Sequence, residues 1–136
     1  MIILLSLSWI AYCGYKFSWG PFGHYFEFDR VINKYKKEHK IDDNQKGIIF
    51  YGASNFRLWK ELEDDLKEYK VLNHGFGGSK DNDLLKEASN LLYPYNPSIV
   101  VLQTGSNDLV DYDVDDKETI NNMFENKKKL YLAIHD

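Results

Sequence analysis

Gly47-Ile48-Ile49-Phe50-Tyr51-Gly52-Ala53-Ser54-Asn55 is the stretch on which the fold turns. Ile48 to Tyr51 is an unbroken apolar run, too short for a helix and rich in β-branched and aromatic side chains, so it reads as a buried strand. Gly52 breaks the run, and a serine follows two residues later. Towards the C-terminus, Phe56, Trp59, Leu62 and Leu66 recur at helical spacing, and Val71-Leu72 reads as a second strand closed by Gly75, Gly77 and Gly78. Leu84, Leu85, Ala88, Leu91 and Leu92 form another helical face ended by Pro94, and Ile99-Val100-Val101-Leu102 is a third strand. Asp115 opens a last helix, with Glu118 three residues on as a capping box and an apolar face of Ile120, Met123, Phe124, Leu130, Tyr131 and Ile134. Strands alternating with helices predict an α/β unit with a parallel sheet and helices on both faces. Strands that are apolar throughout fit burial on both sides.

Towards the N-terminus the pattern changes. Ile41 to Lys46 is polar, and before it Phe28, Val31, Ile32 and Tyr35 recur at helical spacing among charges. This predicts an amphipathic helix that covers the domain or lies at a membrane surface. Ser18 to Gly23, with Gly20, Pro21 and Gly23, reads as a linker. Met1 to Cys13 is apolar apart from two serines, and Tyr15, Phe17 and Trp19 follow at once. A spanning helix needs about 17 to 25 residues, and aromatic rings favour the membrane boundary. Residues 1–17 are therefore read as a membrane anchor or uncleaved signal segment, against a buried core helix, and the expected localisation is membrane-associated through them. The side is open: no basic residue precedes the apolar run, as an export signal requires, while Lys16 and Arg30 follow it. Three stretches result: 1–17, 18–46 with the linker and amphipathic helix, and 47–136 with the α/β unit.

Composition excludes several classes. With 136 residues there is room for one small domain, and 43% hydrophobic against 28% charged residues describes a globular chain. A net charge of -4 lacks the basic surplus of a nucleic-acid binder, and Lys127-Lys128-Lys129 reads as a solvated helix face. The single cysteine, Cys13, rules out an internal disulfide and a cysteine-built zinc site. The acidic run from Asp111 fails the EF-hand spacing, because Asp116 and Asn122 stand where glycine and glutamate are needed. No metal or organic cofactor is implied.

In open parallel sheets, function gathers at the carboxyl ends of the strands. Three loops leave those ends: Gly52-Ala53-Ser54-Asn55, Asn73-His74-Gly75-Phe76-Gly77-Gly78-Ser79 and Gly105-Ser106-Asn107-Asp108. They offer a hydroxyl, glycine backbone amides and a side-chain amide. Acyl transfer needs that set: a hydroxyl to attack a carbonyl and donors to hold the oxyanion. Each piece has a plainer reading. Ser54 can be a helix N-cap, the glycines can serve turn geometry, and Asn107 and Asp108 can shape a turn. The glycine loop lacks both G-x-G-x-x-G spacing and a Walker lysine. His74 is the nearest histidine in sequence and reads as a loop residue, a base only if geometry places it so. His24 and His39 read as solvated. Phe56 and Trp59 are explained by core packing before any acyl pocket.

The order of the three blocks resembles the SGNH (GDSL-like) hydrolase family over roughly Gly47 to the end. Gly52-Ala53-Ser54 resembles its first block, with Ala53 in place of the common aspartate, Asn73 to Gly78 its second, and Gly105-Ser106-Asn107-Asp108 its G-x-N-D block. The resemblance implies a flavodoxin-like three-layer α/β/α fold with strand order 2-1-3-4-5. It implies Ser54 as nucleophile, and an oxyanion hole from the backbone N–H groups of Ser54 and Gly78 and the amide of Asn107. The substrate would be a small-molecule, lipid or sugar ester. The family's D-x-x-H block, with its histidine base, comes well after G-x-N-D, and His135-Asp136 does not match it. A fragment is therefore expected, lacking that block and the C-terminal strands, and inactive as it stands. A bare apolar edge at Ile99 to Leu102 supports the same expectation. The alternatives are a non-catalytic acyl-ligand binding module and a flavodoxin-like nucleotide or flavin binder using the glycine loop for phosphate.

Overall fold

The computed structural model describes residues 23–41 (backbone alone for 23–27), 46–110 and 115–135. Residues 1–17, most of the linker, His24's side chain and Asp111 to Val114 of the acidic run lie outside them. The elements are α1 (Gly23–Glu38), β1 (Ile48–Gly52), α2 (Ser54–Leu58), α3 (Leu62–Asp65), β2 (Val71–Gly75), α4 (Asp81–Leu91), β3 (Ile99–Gln103) and α5 (Lys117–His135), with single 3-10 turns at Lys67–Tyr69 and Tyr93–Tyr95.

The three strands are parallel in the order β2-β1-β3. In register, Gly52 lies opposite Gly75 on one side and Gln103 on the other, so the carboxyl ends are level. Gly52 is needed for that closeness: a Cβ there would collide with the carbonyl oxygen of Gln103. Period-two alternation then sorts the sheet's faces. Ile49 and Tyr51 join Phe28, Ile32 and Tyr35 of α1, Leu84, Ala88 and Leu91 of α4 and Leu130 of α5 in one buried cluster. The Tyr51 hydroxyl donates to the carbonyl of Leu84, so its buried tip is satisfied. Phe50 looks the other way, edge-on to Phe56 and Trp59 beside α2. Helices thus cover both faces of a parallel sheet, a flavodoxin-like α/β/α arrangement.

Several local expectations change. The helical pattern from Phe56 to Leu66 is two short helices, because the Asn73 amide takes the carbonyls of Phe56 (2.8 Å) and Trp59 (3.2 Å) and ends the first. β2 runs on through Asn73 and His74 rather than stopping at Leu72: parallel pairing with β1 continues, and the Glu63 carboxylate accepts the outer Asn73 N–H at 2.7 Å. The last helix is capped by Asp116, not Asp115, since Asp116 Oδ1 accepts the Glu118 N–H at 3.1 Å. β3 is not buried on both sides: Ile99 is 53% exposed. Among the described residues no helix is long and apolar enough to cross a membrane.

Candidate active site

Hydrogen bonds stitch the three loops together at the carboxyl end of the sheet. Ala53 N–H donates to Gln103 O (3.1 Å), joining the first loop to the end of β3. Phe76 N–H donates to Gly52 O (2.9 Å), joining the second loop to the first. Asn107 Nδ2 donates to Ser79 O (2.9 Å), joining the third to the second. Each bond satisfies a loop group that has left its own ladder.

Ser54 is the first residue of α2, and the N-cap is Ala53 in extended conformation, so the capping reading of Ser54 fails. Ser54 is half-buried, and its hydroxyl makes no hydrogen bond among the described residues. The glycine loop presses on its helix: a Cβ on Gly75 would lie 2.5 Å from the backbone nitrogen of Arg57. Gly78 has φ 79°, a left-handed conformation that side-chain-bearing residues adopt at a cost. Asn107 spends one amide N–H on Ser79 O, which fixes its plane and leaves the second N–H available.

Beneath the loops lies a polar layer. Asp108 is buried, and its two carboxylate oxygens take the Asp81 N–H at 3.1 and 3.3 Å, at the start of α4. Burial raises its pKa, against the pull of that hydrogen bond. Asp81 is itself fully buried, receiving Thr104 Oγ1 at 2.6 Å and the Lys127 ammonium at 3.1 Å. Lys127 is thus not part of a solvated face: its side chain is 22% exposed and lies against Gly105 of the third loop. The sequence held no local signal for this, because the pair is brought together by the packing of α5 on α4.

The histidines differ most from expectation. His74 lies within β2, fully buried, with both ring nitrogens engaged: Nδ1 on Leu91 O (2.5 Å) and Nε2 on His39 Nδ1 (2.8 Å). It cannot serve Ser54. His39 is not solvated: its side chain is 11% exposed and bridges His74 to Glu63. Trp59 is 39% exposed rather than core, donating to Asp65 at 2.7 Å. It lines a cavity of about 600 Å³ at the outer edge of β2, with Arg30, Tyr35, His39, Arg57 and Glu63 among the walls. Ser54, Gly78 and Asn107 do not line that cavity. Among the described residues no group of three or more His, Cys, Asp or Glu side chains is placed to hold a metal ion.

No family model matches the sequence, and no curated protein is significantly similar to it. Solved structures do match. A Streptococcus pneumonia protein assigned as a platelet activating factor superposes with TM-score 0.63 at 22% identity, over 79% of this chain and 48% of its own. A Bacteroides fragilis protein assigned as an acylhydrolase gives TM-score 0.55 at 20% identity, over 78% of this chain and 52% of its own. A GDSL-like lipase from Bacteroides thetaiotaomicron gives 0.51 at 21%, over 74% and 54%. The fold is that of the GDSL-like acylhydrolases. The chain spans about half the length of each matched structure.

Proposed function

We propose that this chain is the N-terminal part of a serine ester hydrolase in which Ser54 is the nucleophile. The observation that supports the reading is the stitching of three loops, one carrying an unengaged hydroxyl, one a left-handed glycine and one an oriented amide. Ser54 Oγ attacks the ester carbonyl carbon. The negative charge that develops on the carbonyl oxygen is taken by the backbone N–H groups of Ser54 and Gly78 and the second N–H of Asn107. Collapse expels the alcohol and leaves an acyl-Ser54 ester, which water hydrolyses. The proton from Ser54 passes to a histidine base that the family resemblance assigns to a D-x-x-H block, since His74 is fully engaged elsewhere. A small-molecule, lipid or sugar ester fits this chemistry, and residues 1–17 would hold the domain at a membrane.

Turnover of aryl and acetyl esters by the native protein carrying this sequence tests the reading. Ser54→Ala is expected to abolish it with the fold intact; full activity in that variant contradicts the assignment. One observation favours a second reading: no base contacts the Ser54 hydroxyl among the described residues. In that case the loops bind an acyl ligand without cleaving it, and Ser54→Ala leaves ligand affinity nearly unchanged.

A further inference from the structure

Helix α1 is fastened to the sheet by a chain of titratable side chains that the proposed hydrolase site does not use. Glu63 Oε1 lies 3.2 Å from His39 Nε2, His39 Nδ1 lies 2.8 Å from His74 Nε2, and His74 Nδ1 lies 2.5 Å from the Leu91 carbonyl oxygen. The protons along this chain can be counted. A carbonyl oxygen only accepts, so His74 Nδ1 carries hydrogen. A neutral His74 then presents a lone pair at Nε2 and accepts from His39 Nδ1–H. An ionised Glu63 also only accepts, so His39 Nε2 carries hydrogen too. Burial pushes the Glu63 carboxyl up, but hydrogen bonds from His39 and the Asn73 N–H outweigh it and hold the group below its ordinary value. The complete chain is therefore a Glu63 carboxylate, a His39 imidazolium and a neutral His74.

We propose that this chain is a proton-operated latch, closed in that one protonation state, which holds α1 against the glycine loop. The connection to the loop is direct. Tyr35, whose carbonyl accepts the His39 N–H at 2.7 Å, packs its ring on both imidazoles with centroids 5.5 and 5.2 Å away. Its hydroxyl donates to Gly75 O at 2.6 Å. Phe28, earlier on α1, meets Phe76 edge-on at 5.2 Å. Both contacts fall just before Gly77 and Gly78, so release of α1 frees the segment that positions Gly78. The latch itself rests on no assumption about Ser54.

Acid opens it at the bond between the two rings. In acid His74 gains a proton at Nε2, and a donor then faces a donor between rings 5.0 Å apart. The other groups around the chain do not substitute. Glu38 of α1 is paired with Lys34 at 3.5 Å. Burial pushes the Tyr35 phenol up to about 12 and raises those of Tyr95 and Tyr51, so all three stay neutral. Tyr95 donates to the His39 carbonyl, not to its ring. Arg57 faces Tyr35 from α2, and Arg30, Lys60 and Asp64 stand around the adjoining cavity.

The sign is fixed by linkage. Burial lowers the His74 pKa from 6.5 to about 4, so the released state binds the proton more tightly and docking weakens as pH falls between those values. The test is a pH titration of the full chain labelled with 15N-histidine, reading ring tautomers and amide exchange in α1 together. The expected result has two parts. His74 is neutral with hydrogen on Nδ1, and His39 carries hydrogen on both nitrogens wherever α1 is best protected. Protection of α1 amides falls by roughly a hundredfold from pH 6.5 to pH 4, the span of the His74 shift. A His74 with hydrogen on Nε2 where α1 is protected, or α1 protection unchanged from pH 6.5 to pH 4, overturns the latch. Neither readout involves ester turnover, so the hydrolase reading can fail without touching this one.

Discussion

Asn107 shows how much one side chain is asked to do. Its amide has two N–H groups; one is fixed on Ser79 O at 2.9 Å, and the other is the proposed oxyanion donor. Alanine removes both, and the usual loss for one oxyanion donor is roughly a hundred- to a thousandfold in kcat, about 2.7 to 4 kcal/mol of barrier. Asn107→Ala is therefore expected to reduce kcat by that factor with KM nearly unchanged, read from steady-state ester hydrolysis. Gly78 works through its backbone. A Cβ at φ 79° costs about 1 to 2 kcal/mol and turns the N–H away from its aim. Gly78→Ala is expected to slow turnover while thermal melting falls by only a few degrees; unchanged kcat would remove Gly78 from the hole. The sequence proposes these residues because each belongs to a short contiguous block. His39, Glu63 and Lys127 had no such block. Their partners lie 35, 10 and 46 positions away in sequence for His39–His74, Asn73–Glu63 and Lys127–Asp81, so only packing assembles them.

At the scale of elements, α5 is fastened to α4 by one buried ion pair and a Leu130 contact in the core. Asp81 is fully buried, so losing its cation leaves an uncompensated charge, at a cost of about 3 to 5 kcal/mol. Lys127→Met is expected to lower the melting temperature by roughly 10 °C or more, and the double variant with Asp81→Asn to recover part of it, measured by circular dichroism. Equal melting of wild type and Lys127→Met would show the pair to be solvated. β2 behaves differently. Its polar residues Asn73 and His74 look like a loop in sequence, yet each is satisfied within the strand, by Phe56 O and Trp59 O for one and by Leu91 O and His39 for the other. Buried histidine also sets a pH limit for the fold. The lowered His74 pKa contributes stability that is complete above pH 6.5 and is lost as pH falls to about 4, an amount on the order of 3 kcal/mol. Denaturant midpoints from pH 7 to pH 4 are expected to fall accordingly, and His74→Gln to flatten that slope.

Among the described residues the sheet has three parallel strands, with β2 and β3 as its edges. β2 is attended by α3, whose Glu63 accepts an edge N–H. β3 begins at Ile99, 53% exposed, and Val110 in the loop after it is 78% exposed, while α5 exposes Phe124, Tyr131 and Leu132 at 61%, 55% and 52%. Apolar exposure on that scale beside a strand edge favours pairing with another chain. The 136-residue chain alone is expected to self-associate in a concentration-dependent manner in light scattering, and a strictly monomeric solution would contradict that. The three strands and the loops that follow them were readable because apolar runs and glycine breaks are local signals, while their order 2-1-3 was implied by the family resemblance. Helix breaks, the length of β2 and the histidine chain were not, because distant partners decide them. The claim on which the account rests is that Ser54 is the reactive group among those loops. Labelling of the catalytically active native protein with a fluorophosphonate, followed by tandem mass spectrometry, tests it most directly. A single adduct on Ser54, absent from Ser54→Ala, is the result predicted; ester turnover with Ser54 unmodified, or an adduct on another residue, would contradict it.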